Sequence, residues 1–324
     1  MLAAGLRKFK CKRVIARSAS YEATRNNIKI DSDTTVIVQG ITGKMGTLHT
    51  KLRAEYGTKF VGGVSPKKGG TRHLGLPVFS SVLSAKEALK PDATVIFVPA
   101  PQVREAIMEA VDAELPLVIC ITDGVPIKDM VYITHALRSQ CKSRMIGPNC
   151  PGVLAAGRSS IGIVPNAVSK RGCVGIVSRS GTLSYEVINQ TTALGLGQTW
   201  SVGIGGDPFP GSSFVDCLQI FLEDETTRAI VLIGEIGGEE EEKASDYLRE
   251  HNHRCCHKPV VAYVAGLVAP VDRRMGHAGA IITRGKGRPE DKVRALRDVG
   301  VIVTKSVAQI GPALRDVMAR SKLI

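Results

Sequence analysis

Residues 35–46 read TVIVQGITGKMG. A run of β-branched apolar residues without polar alternation is the pattern of a strand buried on both faces, as in a parallel sheet covered by helices. Glycines 40, 43 and 46 then allow a tight turn and a close backbone approach. Helical spacing follows over residues 44–56. The unit is strand, glycine turn, helix. Its GxxGxxG spacing departs from the GxGxxG of dinucleotide sites, and a plain structural turn accounts for it equally well.

The same alternation continues outward from this unit. Strands are expected over residues 59–64, 94–98, 117–121 and 144–146, then over 173–178, 199–204, 229–235, 259–264 and 300–303. Helical patterns fall at 44–56, 103–111, 129–139, 183–192, 213–223, 239–250, 289–298 and 308–320. Repeated βα units imply an α/β fold with parallel sheets and right-handed crossovers. The chain of 324 residues suits about two domains. The turn-rich segment GPNCPG, residues 147–152, marks the boundary between 28–147 and 148–324.

Lys and Arg total 43 against 30 Asp and Glu, a formal charge of +13. Such a balance first suggests nucleic acid. Aromatic residues are only 4%, so a base-stacking surface is poorly supplied and nucleic acid is not expected as a partner. Seven basic side chains and a single acid lie in residues 1–25. With Leu2, Leu6 and Phe9 on one face, this segment reads as a basic amphipathic leader. Residues 1–27 are therefore expected to be a mitochondrial transit peptide, which places the protein in the mitochondrial matrix. The alternative is a disordered basic tail. The longest uncharged window, residues 187–206, is too polar to span lipid, so no membrane partner is expected. Eight scattered cysteines without a CxxC pair fit free thiols in a reducing compartment.

The loops at the strand ends are rich in groups that handle phosphate. A helix opening at Gly43 presents free N–H groups and a positive dipole end to an anion. No acid ends the second strand, where a ribose-binding carboxylate of an NAD site would stand. Instead Lys67 and Lys68 follow it, suiting a phosphorylated ligand, with a solvated loop as the alternative. The ITDG turn at Ile121, Thr122 and Asp123 edges the same crevice. In the second half SRSGTL, residues 178–183, offers Ser180, Gly181 and Thr182 at a helix start, another phosphate or carboxylate cradle. SRSGT is not the GxSxG of serine hydrolases.

His277 stands apart from the other six histidines. It lies in RRMGHAGA, where glycines open the space around the ring and Arg273 and Arg274 offset anionic charge. That setting suits an imidazole that accepts a phosphoryl group. Glu235, ending a strand in GEIGG, is positioned to accept the imidazole N–H and fix its tautomer. The stretch HNHRCCH, residues 251–257, matches no zinc spacing, and no metal site is expected on this chain. GxxxxGK[ST] is absent, so a phosphoryl relay here needs a partner that binds the nucleotide.

Taken together these stretches resemble the α subunits of succinate–CoA ligase (succinyl-CoA synthetase), mitochondrial type. GITGKMG, YGTKFVGGVSPKKGGTRHLGLPVF, MIGPNCPGV, GIVSRSGTL, GIGGDPFPG, IGEIGG and RRMGHAGAII run in family order from about residue 30 to the end. The resemblance implies an N-terminal CoA-binding Rossmann-like domain followed by a flavodoxin-like parallel-sheet ligase domain. It implies that His277 is phosphorylated and that Glu235 orients it. Thr42, Gly43, Lys44, Met45, Lys68, Ile121, Thr122 and Asp123 match CoA-binding positions. Tyr185 matches a substrate-site tyrosine at the subunit interface, Ser180, Gly181 and Thr182 the helix start that holds the phosphohistidine, and Cys150 a cysteine near the site. It also implies an ATP-grasp β subunit in an αβ heterodimer, carrying Mg2+ and ATP or GTP. The reaction implied is the ADP- or GDP-forming step of the tricarboxylic acid cycle, with succinate and CoA as substrates. The chain departs from the family at Met45, where Gln is usual, and at Asp123, where Glu is usual. The rival expectations are a non-catalytic or regulatory α-like subunit and an NAD(P)-binding oxidoreductase.

Overall fold

The computed structural model describes residues 20–252, 257–283 and 285–324. Two seven-stranded sheets follow one another along the chain. The first is built from β1 (Thr35–Gln39), β2 (Lys59–Val64), β3 (Arg72–His73), β4 (Leu76–Phe79), β5 (Ala93–Ile96), β6 (Leu117–Cys120) and β7 (Arg144–Ile146). Their spatial order is β3-β4-β2-β1-β5-β6-β7, all parallel except the β3 edge. Helices α1 (Lys44–Tyr56), α2 (Val82–Leu89), α3 (Val103–Asp112) and α4 (Ile127–Arg138) join the strands. The expected unbroken apolar runs are buried: Val36, Ile37 and Val38 have no exposure.

The order reverses between β1 and β5, and ligands of open α/β sheets bind outside the strand ends at such a point. Gly40 lies there with φ of +80°, and a Cβ on it would meet the Phe97 backbone at 3.3 Å. Only glycine suits that conformation and that approach.

The second sheet holds β8 (Gly152–Ala155), β9 (Ser159–Gly162), β10 (Arg171–Ser178), β11 (Gln198–Gly203), β12 (Ala229–Glu235), β13 (Val260–Ala265) and β14 (Ile302–Val303). Helices α5 (Gly181–Ala193), α6 (Phe214–Glu223), α7 (Glu240–His251), α8 (Pro289–Asp298) and α9 (Ile310–Arg320) cover it. The order is β14-β13-β12-β10-β11-β8-β9, reversing between β10 and β12. Five strands are parallel, and the β8–β9 hairpin adds an antiparallel edge. That hairpin, the β3–β4 pair and α2 have no counterpart among the sequence expectations.

Residues 144–152 pass from one sheet to the other through a cis Gly147–Pro148 bond. Two seams fasten the halves. A 3-10 helix, Tyr21–Ile28, forms the first. The Tyr21 hydroxyl donates to Gly211 O at 2.6 Å and accepts from Met145 N–H at 3.0 Å. Arg25 and Arg144 both pair with Asp216, at 2.9 and 3.3 Å. Residues 21–27, the end of the expected leader, thus pack against both halves. The amphipathic segment around Leu2, Leu6 and Phe9 lies outside the described residues. The second seam joins the turn after α1 to the β8–β9 hairpin: Thr58 Oγ1 donates to Ser160 O and accepts from Ser160 N–H, at 2.8 and 3.0 Å. No helix among the described residues is long and apolar enough to cross a membrane.

Candidate active site

Each half delivers its loops from its own reversal point. In the second half, β10 ends at Ser178 and β12 at Glu235, so Arg179 and Glu235 emerge side by side. His277 comes from the long loop after β13. Its Nδ1 lies 2.7 Å from Glu235 Oε2. Gly206, just beyond β11, makes room for the ring: a Cβ there would fall 2.2 Å from His277 Cγ. The backbone of Gly279 also donates to Gly206 O at 2.9 Å.

The carboxylate that meets His277 is itself held from behind. Arg179 reaches Glu235 Oε1 at 3.4 Å and Glu241 Oε1 at 3.2 Å. Glu241 Oε1 also accepts the Glu235 N–H at 3.0 Å. The Lys292 ammonium pairs with Glu241 and, at 3.1 Å, with Glu242. Glu241 and Lys292 are fully buried. Burial works against the Glu241 carboxylate, but the Arg179 and Lys292 charges outweigh it and hold its pKa below the ordinary value. The hydrogen bond that His277 donates to Glu235 raises the His277 pKa above its ordinary value. Burial and Arg179 oppose that shift, while the Glu235 and Asp123 charges add to it.

A cleft of about 480 Å3 opens beside the histidine at Ala278 and Gly279, lined also by Arg179, Asp207, Lys243 and Lys286. Asp207 is buried, and burial pushes its carboxyl above the ordinary range, with the Asp123 charge adding. Arg179, Asp207, Glu241 and Lys292 were missed by sequence reasoning, because a charged side chain gives no sign of burial before its partners are known. Arg273 and Arg274 are exposed.

Ser180 caps α5, its Oγ accepting from Leu183 N–H at 3.3 Å, with Gly181 and Thr182 in the first turn. The N-cap follows Arg179 directly, and the helix opens two residues after it. Tyr185 is half-buried on the same helix, and burial pushes its hydroxyl up to about 12. Cys150 is buried against Cys120 O at 3.2 Å, and burial raises its thiol to about 12.

In the first half Thr42, Gly43, Lys44 and Met45 form the exposed turn into α1, with Met45 at 49% exposure. Gly43 occupies the helix N-cap. Thr42 Oγ1 donates to Ser65 Oγ at 3.3 Å, which brings the Lys67 and Lys68 loop to this turn. Ile121, Thr122 and Asp123 follow the end of β6, and Thr122 Oγ1 donates to Val98 O at 2.7 Å. The two crevices communicate through the crossing segment. Asn149 N–H donates to Thr122 O at 2.9 Å, and Asn149 O accepts from Gly206 N–H at 3.3 Å. Of the HNHRCCH stretch, His253, Cys255 and Cys256 lie outside the described residues. Among the described residues no group of three potential metal ligands converges.

Two open α/β sheets in one chain, the second with a histidine–carboxylate pair at its reversal point, define a two-domain α/β protein whose loops gather at the strand ends. Family models agree with this class: the CoA binding domain matches residues 31–124 and the CoA-ligase domain residues 177–302. The chain is 48% identical over 290 residues to the succinate–CoA ligase [ADP-forming] subunit alpha of Staphylococcus epidermidis, covering 90% of this chain and 94% of that protein. It is 48% identical over 288 residues to the same subunit of Staphylococcus aureus, covering 89% and 94%. The chain belongs to the succinate–CoA ligase α-subunit family, and it is a CoA ligase subunit with a CoA-binding domain ahead of its ligase domain. As an α subunit it implies a β partner.

Among solved structures, ATP citrate lyase from Methanothrix soehngenii, in complex with citrate and coenzyme A, superposes with a TM-score of 0.81 at 27% identity. The match covers 92% of this chain and 52% of that one, so this chain spans about half its length. A dinucleotide-forming acetyl-coenzyme A synthetase from Ca. Korarchaeum cryptofilum shares the fold at TM-score 0.69 and 22% identity. The curated relatives also correct the expected location. They come from Staphylococcus, and bacteria have no mitochondria. The likeness that carries the family therefore carries no organelle, and the mitochondrial matrix does not stand as the location.

Proposed function

We propose that this chain is the phosphohistidine-bearing half of an αβ succinate–CoA ligase that interconverts succinyl-CoA, NDP and phosphate with succinate, CoA and NTP. The observation that carries the reading is the 2.7 Å contact between His277 Nδ1 and Glu235. It commits the Nδ1 proton to the carboxylate and leaves Nε2 with its lone pair as the nucleophile. A β subunit of ATP-grasp type supplies the nucleotide, ATP or GTP, with Mg2+. Nε2 takes the terminal phosphoryl group, and NDP leaves. The phosphoryl group then passes to a succinate carboxylate oxygen, which restores neutral His277 and forms the acyl phosphate. The CoA thiolate attacks the acyl carbon and expels phosphate.

The chain's own residues supply positioning and charge. Glu235 holds the tautomer, while Arg179 offsets negative charge beside the ring. Ser180, Gly181 and Thr182 offer helix-start N–H and hydroxyl donors to the phosphoryl group. Thr42, Gly43, Lys44, Met45, Lys68, Ile121, Thr122 and Asp123 hold CoA, and Tyr185 stands at the acid substrate. The glycine-lined turn at residues 40–46 suits a phosphate-bearing ligand, since side chains there would fill the space beside the helix start. The reaction is that of the tricarboxylic acid cycle.

Incubating the αβ complex with γ-labelled ATP or GTP tests the reading. Acid-labile label is expected on the α chain, discharged by succinate and CoA together and absent from His277→Asn. Full labelling of His277→Asn refutes the assignment. CoA should bind the chain and NAD should not; the reverse favours the oxidoreductase.

A further inference from the structure

Asp207 directly follows Gly206, the glycine that makes room for the His277 ring. It is only 6% exposed, yet it lines the cleft beside the histidine. Its Oδ1 accepts the Phe209 N–H at 2.9 Å, closing a turn across Pro208. Oδ2 has no partner among the described residues and is not sealed from the cleft. Among the described residues every cation of the cleft is taken by another acid. Arg179 holds Glu235 and Glu241, Lys243 pairs with Glu240 at 2.8 Å, and Lys286 pairs with Glu239 at 3.1 Å. The charge acting on Asp207 from the first half is a further carboxylate, Asp123. A buried carboxylate without a counter-charge is costly, and in a cleft it marks a functional group. The position also bridges the two halves. Gly206 N–H donates to Asn149 O and Asn149 N–H to Thr122 O, so a short chain of backbone bonds leads to Asp207 from the turn assigned above to CoA. On the other side, a Cβ on Gly279 would stand 3.3 Å from the Asp207 carbonyl carbon and 3.2 Å from Arg179 Nη2.

We propose that Asp207 is the general base for the CoA thiol in the thioester-forming step. The proposal rests on the function above. Oδ2 takes the thiol proton as the sulfur lone pair forms the bond to the acyl carbon of the acyl phosphate. The bond from that carbon to the phosphate oxygen breaks, its electron pair leaves with phosphate, and the proton passes from Asp207 to the phosphate. In reverse, the protonated carboxyl returns its proton to the departing thiolate. Burial, with Asp123 adding, holds the carboxyl above its ordinary range and so closer to the thiol it serves. The other carboxylates near this point are engaged. Glu235 is committed to His277 and Arg179, and Asp123 is exposed and turned to the Gly124 N–H at 2.6 Å.

Two variants test this. Asp207→Asn keeps a carbonyl oxygen for the Phe209 N–H and removes the base, whereas Asp207→Ala removes both. Asp207→Asn should melt no lower than wild type, since an uncompensated charge has been removed. αβ complexes labelled at His277 with γ-labelled ATP or GTP are mixed with succinate and CoA, and thioester is followed over a single turnover from pH 5 to 9. Asp207→Asn is expected to take up label and to bind CoA within twofold of wild type. It should form thioester roughly 10²- to 10⁴-fold more slowly at pH 7. Its rate should climb about tenfold per pH unit with the thiolate fraction of CoA, where wild type levels off, so the deficit closes as the thiol ionises. A purely structural role would not give that convergence. Wild-type behaviour of Asp207→Asn at every pH overturns the proposal and, with only Asp207→Ala impaired, leaves Asp207 as a turn former. A deficit that is constant with pH, or an equal loss of labelling, also overturns it. A wild-type complex that takes up label but forms no thioester overturns the function above, and the proposal with it.

Discussion

His277 shares one ring nitrogen with Glu235, and the electrostatics of that pair set a pH dependence. The Glu235 hydrogen bond lifts the imidazole pKa above 6.5, with burial and Arg179 opposing. Phosphoryl acceptance needs the neutral ring, so labelling should rise with pH through that raised value. The stability contribution has the opposite sense. It is present below the unfolded value and lost as pH rises through the folded one. Glu235→Gln removes the raising interactions, so the acid limb of the labelling profile should move to lower pH. The maximal rate should fall by roughly 10²- to 10⁴-fold, as when a tautomer-fixing carboxylate is lost. Labelling rates measured from pH 5 to 9 check both statements. At Gly206 a methyl group would occupy the space of the imidazole. Gly206→Ala should therefore abolish labelling while leaving the melting temperature nearly unchanged. The pairing of His277 with Glu235 could be suspected from glycine-flanked motifs; the crowding at Gly206 could not, since it depends on a loop 71 residues away in the chain.

At the scale of elements, α7 and α8 act as the backing of the site. Glu241 projects from α7 to Arg179 and the Glu235 backbone, and Lys292 reaches it from α8. Removing one partner of a buried ion pair strands the other, at about 3–5 kcal/mol. Lys292→Met is expected to lose that much by urea denaturation. Lys292→Met with Glu241→Leu should lose less than the two single changes combined, which a double-mutant cycle measures. These helices read from the sequence as charged, solvated surfaces, since EEEEK and PEDK carry no hint of burial. The long strands were legible because their apolar runs admit few other readings. The β8–β9 hairpin was not: its buried Ser159 and Ser160 look like loop residues, and only pairing with β8 makes them a strand. The β3–β4 pair is too short to show a period.

For the whole molecule, the seams are as informative as the sheets. Asp216 serves Arg25 and the buried Arg144 together, and the burial cost of its carboxylate is outweighed by Arg144. Asp216→Ala should destabilise the chain by about 3 kcal/mol or more. Calorimetric melting should then show the two domains separating into distinct transitions. A two-domain α/β plan was readable from the spacing of strands and helices; the role of Tyr21–Ile28 as a strap was hidden by the basic run preceding it. The same strap, together with the α1–hairpin seam, has a consequence for motion. With fastenings on separate edges, swinging the halves apart about the crossing at residues 147–151 would break both seams. The width of the opening between the halves is thus tied to the Asp216 and Thr58 contacts, and widening it would carry the cost of breaking them.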